Sequence, residues 1–433
     1  MAEQQPVKKN RYCWVIFIIC CLAGLCGVGL ISNTYGLFMG PIAIDLGFQT
    51  SQVSLIMTIA SWITVAFYWL GGKAFAKWGP RKVTTIGGFV IAACMFLYAS
   101  STQIWHFYLT AALCGAMGAF AALNVVPVLI NNWFIKHRAL VMGISYMMTG
   151  IGGALYNPIF ATIIVNHDWR YGYRVAGIIA LIFPIVTLIF LRSKPADMGL
   201  KPYGIEESEE MKDIKDQVEI KEFPGIPKKY AYKSAALWLA LVTIMFSGFC
   251  TGFNQHWVNA GVTYGFDLVS ASFLATAAML AAAAFKIIGG AMNDSKKIGP
   301  RNTFIIFSII GTVAMIIMMI QHSNPSLGVI ALCAVLYGTT VSLTTMQGPV
   351  IIREIFGMRD YGLLYPIVFM GMSAGTGLTY SLNAVFLEAV GSYMGSYIFN
   401  AVCNVIGIVF VIIVFAAGKK ARAKYWREVG EAI

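Results

Sequence analysis

One lysine lies inside a long apolar segment, where charged side chains are rare. Lys286 is the only charged residue of Leu280–Gly290, and Asp294 marks the predicted end of the segment eight residues later. At 1.5 Å per helical residue, Lys286 lies about 12 Å inside that end. If the segment spans a membrane, a charged side chain this far inside the lipid is energetically costly and usually marks a substrate or ion pathway. A lysine that snorkels to the membrane surface is the alternative, but snorkelling works near helix ends. We therefore expect Lys286 to bind an anion.

Uncharged polar residues in other apolar segments can complete an anion site, because they can hydrogen-bond a carboxylate or a hydroxyl group. The candidates are Asn33, Tyr35, Asn124, Tyr146, Asn254, Gln255 and His256. For each of them a hydrogen bond between packed helices is an equally good explanation. The histidine can also shuttle protons, with a packing role equally open.

Other kinds of chemistry lack the residues that they need. The nine cysteines lie in apolar runs without metal-ligand or Cys-x-x-Cys spacing, and we interpret them as core thiols. The sequence has no phosphate-binding loop of the Walker type, which excludes ATP-driven pumping. An intramembrane enzyme needs metal ligands or paired acids within the apolar segments, and the sequence offers neither. We predict no catalytic residues, no metal site, no cofactor and no enzymatic activity.

The composition of the chain indicates which elements position these residues. Of 433 residues, 58% are apolar or aromatic and 12% are charged, whereas soluble domains average about 25% charged residues. Because one membrane span needs roughly 20 apolar residues, the sequence predicts an all-α membrane protein with twelve transmembrane helices. The apolar runs lie near residues 12–39, 51–73, 83–101, 105–131, 139–165, 173–191, 234–262, 269–292, 302–321, 326–347, 361–387 and 393–417.

These runs divide into two sets of six. We predict an N-terminal six-helix bundle over residues 1–191, a linker over 192–233 and a C-terminal six-helix bundle over 234–433. The linker holds nine Lys/Arg and nine Asp/Glu, which is typical of a solvated segment, and we expect it to contain one short helix.

The distribution of basic residues predicts the orientation in the membrane. If the N-terminus is cytoplasmic, the cytoplasmic segments carry 28 of the 31 Lys/Arg, the external loops carry only Arg170 and Arg174, and Lys286 is the remaining one. The positive-inside rule then places both termini in the cytoplasm. The same rule explains the net charge of +12 without nucleic acid as a partner. We expect a bacterial inner membrane protein that acts as a monomer.

The two halves of the chain repeat each other. The segment Gly72–Lys82 and the segment Gly290–Arg301 both begin with glycine, continue with basic residues and reach Gly-Pro-Arg. A second similarity relates the Pro-Val residues at 127–128 to those at 349–350. Matching positions of the two halves are 218 to 222 residues apart. Two six-span halves of like orientation form a parallel repeat, the arrangement that encloses a central site for alternating access.

With this repeat the chain resembles the major facilitator superfamily, whose signature is a Gly-x-x-x-Asp-x-x-x-Gly-x-Arg loop between spans 2 and 3. The first copy here is degenerate, because Ala76 occupies the usual position of the aspartate, and the second copy has two extra residues before its second glycine. The resemblance implies a gating role for the residues of the two loops, which are Gly72, Gly79, Arg81, Lys82, Asp294, Gly299 and Arg301.

Within that superfamily, the stretch Asn131–Gly143 is similar to the span 4–5 turn of the oxalate/formate antiporter and monocarboxylate porter group. The segment Tyr35–Phe38, followed by Pro41 and by Asp45-Leu46-Gly47, also resembles that group. In the group a cation on span 8 binds the substrate carboxylate, and Lys286 occupies the matching position.

Two departures from the group limit the substrate. Monocarboxylate porters typically place an aspartate one turn before the span 8 cation, and here that position is Ala282. Oxalate carriers place a second cation on span 11, and residues 363–368 here carry no charge. A single cation favours a monoanion over a dicarboxylate.

These features together predict a secondary active transporter of a small organic anion, most simply a monocarboxylate, that works by alternating access with Lys286 on the anionic group. A proton is the possible second partner, since burial without a counter-charge favours the neutral amine and an arriving anion restores the charge. An anion exchanger of the oxalate/formate type is the first alternative. A membrane sensor or receptor without transport is an alternative of a different class.

Overall fold

The computed structural model describes residues 11–121, 125–204, 225–322, 325–357 and 359–429, and these are almost entirely helical. In the N-terminal half the helices are α1 (Tyr12–Leu22), a π-helix (Ala23–Ser32), α2 (Tyr35–Leu46), α3 (Thr50–Trp78), α4 (Pro80–Ser100), α5 (Ile104–Gly118), α6 (Val125–Trp133), α7 (Arg138–Asn166) and α8 (Trp169–Phe190), followed by a 3-10 helix (Pro195–Met198).

The C-terminal half follows the same plan. Its helices are α9 (Lys228–Ala231), α10 (Ala235–Thr251), a 3-10 helix (Gly252–His256), α11 (Trp257–Thr263), α12 (Leu268–Asp294), α13 (Gly299–Ile320), α14 (Leu327–Phe356), α15 (Tyr361–Val390) and α16 (Met394–Val429).

Ten of the described helices, or runs of consecutive helices, are long and apolar enough to cross a membrane. The all-helical, multi-spanning fold that the sequence predicts is therefore confirmed. The two other predicted spans correspond to α5 with α6, on either side of residues 122–124, and to the 30-residue α15. Twelve spans thus stays a prediction, consistent with these helices.

Two helices extend well beyond their apolar runs. Helix α14 continues to Phe356 and α16 to Val429, whereas the apolar runs end near 347 and 417. Backbone hydrogen bonding does not require apolar side chains, so a helix can continue past the membrane surface into charged sequence. Hydropathy alone gives the apolar part of a helix and misses this continuation.

The ends of the linker are packed against one side of the helix bundle. Asn132 Nδ2 donates to the carbonyl of Ser193 at 3.0 Å, and Tyr203 pairs with Phe134 in an isolated bridge. In the other half, Ile226 N donates to the carbonyl of Phe356 at 2.7 Å. We call the side that carries these contacts the linker side and the other side the opposite side.

In the described structure the two halves meet mainly where α3 packs on α15, where α7 packs on α12, and where α2 packs on α11 and on the 3-10 helix before it. Glycines allow a close approach at two of these seams. A Cβ on Gly150 of α7 would lie 3.0 Å from the Met279 carbonyl of α12, and one on Gly377 of α15 would lie 2.8 Å from Ser61 Oγ of α3.

The glycines that crowd α7 and α15 do not all serve this interface. Gly150, Gly153 and Gly377 contact the other half, as the density of glycines predicts. The remaining ones pack within their own half or face open space, and these are Gly143, Gly152, Gly371 and Gly375. The density of glycines in these two spans predicts that all seven form the interface between the halves, and for these four the prediction is wrong. Sequence alone does not give the partner helix of a small residue.

Candidate functional site

Lys286 projects toward the interior of the protein. The exposed apolar side chains of α12 lie along one face of the helix, and they are Phe273, Leu280, Ile287 and Ile288. At 100° per residue, Lys286 lies on the other side of the helix, on the face of Met279 and Ala283. That face packs against α7, since Gly150 approaches both residues. The Lys286 side chain is partly buried and lies away from the exposed apolar face, on the side of α12 that meets the other half.

No hydrogen bond or ion pair to Lys286 is found among the residues that the structure describes. The acidic residue of the same helix, Asp294, ends α12 as predicted and lies two turns away at the surface. Its carboxylate is 3.7 Å from the guanidinium of Arg353 on α14, and both side chains are more than half exposed. In the described structure Lys286 therefore has no acidic partner.

The spans that begin each half are interrupted near Asn33 and Asn254. Asn33 follows the π-helix and donates from Nδ2 to the Thr149 carbonyl of α7 at 2.9 Å. Asn254 lies in the 3-10 helix and places Nδ2 3.9 Å from Met279 Sδ on α12. A Cβ on Gly153 would contact both Asn33 and Met279. The two asparagines therefore lie in one cluster, on the same face of α12 as Lys286.

Tyr35 and His256 are placed differently, each within its own half. The Tyr35 hydroxyl donates to the Val53 carbonyl at 2.5 Å, and the side chain is buried. His256 is fully buried, with Nδ1 3.1 Å from the Tyr393 hydroxyl and Nε2 2.9 Å from the Tyr380 carbonyl. Both ring nitrogens have partners, so in this conformation the histidine has the packing role that the sequence left open.

Tyr146 is partly buried and lies one helical turn from Gly150, on the face of α7 that meets α12. Since α7 and α12 run in opposite directions, this position is close to the depth of Lys286. No hydrogen bond between the two side chains is found in the described structure. The remaining candidate, Asn124, lies outside the described residues.

The two loop motifs lie on the linker side. Gly79 joins α3 to α4 with φ of 80°, and Gly299 begins α13 with φ of 70°, a conformation that favours glycine. Arg81 Nη2 donates to the Leu188 carbonyl at 2.6 Å, which ties the first loop to the end of α8. In the second loop, Arg301 contacts only its neighbour Asn302 through Nε at 3.3 Å among the bonds described.

The remaining motif positions are an exposed lysine, a glycine within a helix and the acidic position, which differs between the halves. Lys82 is exposed, and Gly72 lies within α3. Asp294 forms an ion pair with Arg353, whereas the matching position of the first half is the uncharged Ala76. The residues of the two motifs therefore lie on the linker side, one motif in each half, and none of them contacts Lys286 in the described structure.

Polar contacts close the opposite side between the halves. The Thr58 hydroxyl of α3 is 2.7 Å from the Gly377 carbonyl and from Ser381 Oγ of α15. Nearer the surface, the Glu388 carboxylate accepts a hydrogen bond from Ser51 N at 2.7 Å. Sequence reasoning missed this set of residues, although the recurrence of Ser and Thr along α3 opposite Gly and Ser along α15 was an available signal.

Gln255 makes a central contact between the halves, which is the hydrogen bond between packed helices that the sequence left open as the alternative to substrate binding. Its Oε1 accepts from Gly36 N at 3.3 Å, and its Nε2 donates to the Ser32 carbonyl at 2.5 Å. These backbone groups lie on either side of the interruption in the first span, where helical partners are lost. The glutamine amide therefore satisfies that interruption and joins the first span to the 3-10 helix Gly252–His256.

Enlarging Gly36 tests this closed seam. A Cβ there would lie 2.2 Å from the Gln255 carbonyl oxygen, so we expect Gly36→Ala to force α2 away from the 3-10 helix Gly252–His256 at a cost of about 1–3 kcal/mol. Pulse-EPR distances between labels at Gln52 and Val390, in a cysteine-free background, should lengthen. Gly143→Ala is the matched control, because a Cβ there meets nothing within 4 Å. Unchanged distances in Gly36→Ala would contradict the described seam.

Comparison with known proteins gives the family. The chain is 22% identical over 97% of its length to "MFS transporter asaE" of Aspergillus flavus, covering 91% of that protein. It is 22% identical over 84% of its length to "Monocarboxylate transporter 13" of Rattus norvegicus, covering 80% of it. It is also 22% identical over 58% of its length to "Probable sulfoacetate transporter SauU" of Cupriavidus necator, covering 58% of it.

Solved structures share the fold. A D-xylose-proton symporter superposes with a TM-score of 0.72 at 15% identity, over 92% of this chain and 97% of that one. The sequence profile of the Major Facilitator Superfamily matches residues 21–274 and 237–430. These members are transporters and not enzymes, which agrees with the prediction from sequence. The chain belongs to the major facilitator superfamily.

Proposed function

We propose that this transporter carries a small organic anion, most simply a monocarboxylate, and that Lys286 binds the anionic group. The observation that carries the proposal is a partly buried lysine, without an ionic partner in the described structure, on the α12 face that meets the other half. An anion that replaces water around this ammonium gains a charge-assisted hydrogen bond in surroundings of low polarity. The relative described as a monocarboxylate transporter supports the substrate class.

Alternating access follows from the position of the lysine between the halves. We propose that residues 1–191 and 234–433 form two bundles that rock about this site, with 192–233 as the linker. Because the linker side is rich in Lys and Arg, we assign it to the cytoplasm together with both termini. The contacts through Gln255, Thr58 and Glu388 would then close the external side, and they must break for the site to face outward.

Uptake without ATP tests this function directly. We expect purified protein in liposomes to accumulate radiolabelled lactate, pyruvate or formate when an anion or proton gradient is the only source of energy. Protein-free liposomes are the control. Binding of these anions without any movement into the lumen would contradict transport and favour a receptor.

The single interior cation predicts a preference for monoanions. A second carboxylate would lie in a weakly polar site without a partner, which is costly. We expect lactate-, pyruvate- or formate-like compounds to compete with the transported anion at least about tenfold better than oxalate or succinate, which corresponds to about 1.4 kcal/mol. Competition assays in proteoliposomes measure this ratio. Tighter binding of a dianion would show that a second positive group takes part.

A further inference from the structure

The first span of each half is interrupted at the equivalent place. After the interruption, α2 begins at Tyr35 and α11 begins at Trp257, and this offset of 222 residues is within the 218 to 222 of the sequence repeat. Non-helical backbone within a membrane is tolerated where it is buried in protein or lines a cavity. Paired interruptions in corresponding spans are typical of transporter binding sites. The interruptions are therefore candidates for a part of the site other than Lys286.

Two amide side chains flank these interruptions, and each uses its NH₂ group. Asn33 Nδ2 donates to the Thr149 carbonyl, and Asn254 Nδ2 points to Met279 Sδ. The side-chain amide oxygens of both asparagines are not used in these contacts. Asn254 Oδ1 is buried without a hydrogen-bond partner in the described structure, and no bond to Asn33 Oδ1 is found there either. A buried amide oxygen without a partner is costly, so a donor supplied by a ligand would be favoured there.

The distance from Lys286 limits the length of such a ligand. Met279 precedes Lys286 by seven residues on the same face of α12, which is about 10 Å along the helix axis. Side chains in helices lean toward the N-terminus, so Lys286 is expected to reach back toward Met279 and leave a gap on the order of 5 Å. That gap fits a chain of a few carbon atoms.

We propose that Asn33 and Asn254 form a second subsite, which accepts a hydrogen bond from a neutral donor at the distal end of the anion bound by Lys286. This inference rests on the proposed function and narrows its substrate to short carboxylates with a terminal hydroxyl or a similar donor. Two amide oxygens repel a carboxylate, so the same subsite rejects dicarboxylates.

Three four-carbon acids test the subsite, because they differ only at the distal end. We expect 4-hydroxybutyrate to compete for uptake about tenfold better than butyrate, the scale of one hydrogen bond, and succinate to compete least. In Asn254→Leu the ratio of 4-hydroxybutyrate to butyrate should fall close to 1. Asn383→Leu is the matched control, since it removes another buried amide without recorded side-chain partners, and its ratio should equal that of the wild type.

The outcomes separate this inference from the proposed function. A wild-type ratio near 1, or a ratio that Asn254→Leu leaves unchanged, overturns the subsite even though butyrate uptake depends on Lys286. Loss of the ratio in Asn383→Leu as well would overturn it in the same way, because any buried amide would then have the effect. If Asn254→Leu does not fold, the ratio of 4-hydroxybutyrate to butyrate is measured in Asn33→Leu instead, and it should likewise fall close to 1. Absence of uptake for all three acids by folded wild type would instead contradict the proposed function.

Discussion

Lys286→Ala should reduce anion uptake by about 100-fold or more while the protein still folds and inserts. Removing one partner of a buried, hydrogen-bonded charge pair typically costs 2–5 kcal/mol, and about 2.7 kcal/mol corresponds to a factor of 100. Initial rates of radiolabelled monocarboxylate uptake into proteoliposomes measure the effect. The loss should appear in binding as well, because the ammonium contacts the anion in the loaded state.

The stability of the variant separates a binding role from a structural one. Lys286 has no partner in the described structure, so its removal breaks no hydrogen bond there, and we expect an unfolding temperature at or above that of the wild type. Lys297→Ala is the matched control, since it removes an exposed lysine that follows the end of the same helix. Normal uptake by folded Lys286→Ala would contradict the proposed role of the lysine.

The position of Lys286 was predictable because it depends on helix geometry alone. The apolar run, the acidic residue at its end and the rise of 1.5 Å per residue together give the distance of Lys286 from the end of its helix, and α12 ends at Asp294 as expected. The direction of the side chain also follows from the helical period once the exposed residues of α12 are known. The sequence repeat likewise predicts two halves with matching elements, because it depends on local motifs.

The interruptions near Asn33 and Asn254 were not predictable from hydropathy. The run 12–39 is apolar apart from Ser32, Asn33 and Thr34, so the turn at Asn33 and Thr34 coincides with polar residues. The earlier change of the backbone from α to π at Ala23 lies in wholly apolar sequence. A shift of hydrogen bonding from i+4 to i+5 changes no residue type, so an apolar pattern does not register it. Three glycines within Ala23–Ser32 were the available signal, since glycine tolerates altered backbone geometry.

The hydrogen-bond partners of individual polar side chains could not be predicted from the sequence either. Gln255 and His256 are neighbours in one 3-10 helix, yet the first contacts the N-terminal half and the second contacts α15 and Tyr393. Successive side chains of a helix point in different directions, and the choice of partner depends on the packing of distant segments. Sequence reasoning therefore identifies polar candidates without assigning their contacts.

Anion binding should take up as much as one proton, and anion uptake should accelerate severalfold under an inward proton gradient. Burial without an anionic partner favours the neutral form of an amine, and a bound carboxylate restores the charged form. Proton and anion would then load together, and the loaded carrier would cross without added net charge. Uptake should therefore be insensitive to the membrane potential. Calorimetry in two buffers of different ionisation enthalpy measures the proton uptake directly.

Two features of this measurement identify Lys286 as the coupling group. The proton uptake should grow from neutral to mildly alkaline pH, because more of the free carrier is then deprotonated before the anion binds. It should persist in Asp294→Asn, since that carboxylate lies at the exposed end of α12 and pairs with Arg353. A buffer-independent binding enthalpy over the whole range would exclude coupling through Lys286. The lysine would then stay charged throughout the cycle, and exchange of one anion for another would be the mechanism, because a permanently charged site returns most readily when it is occupied by an anion.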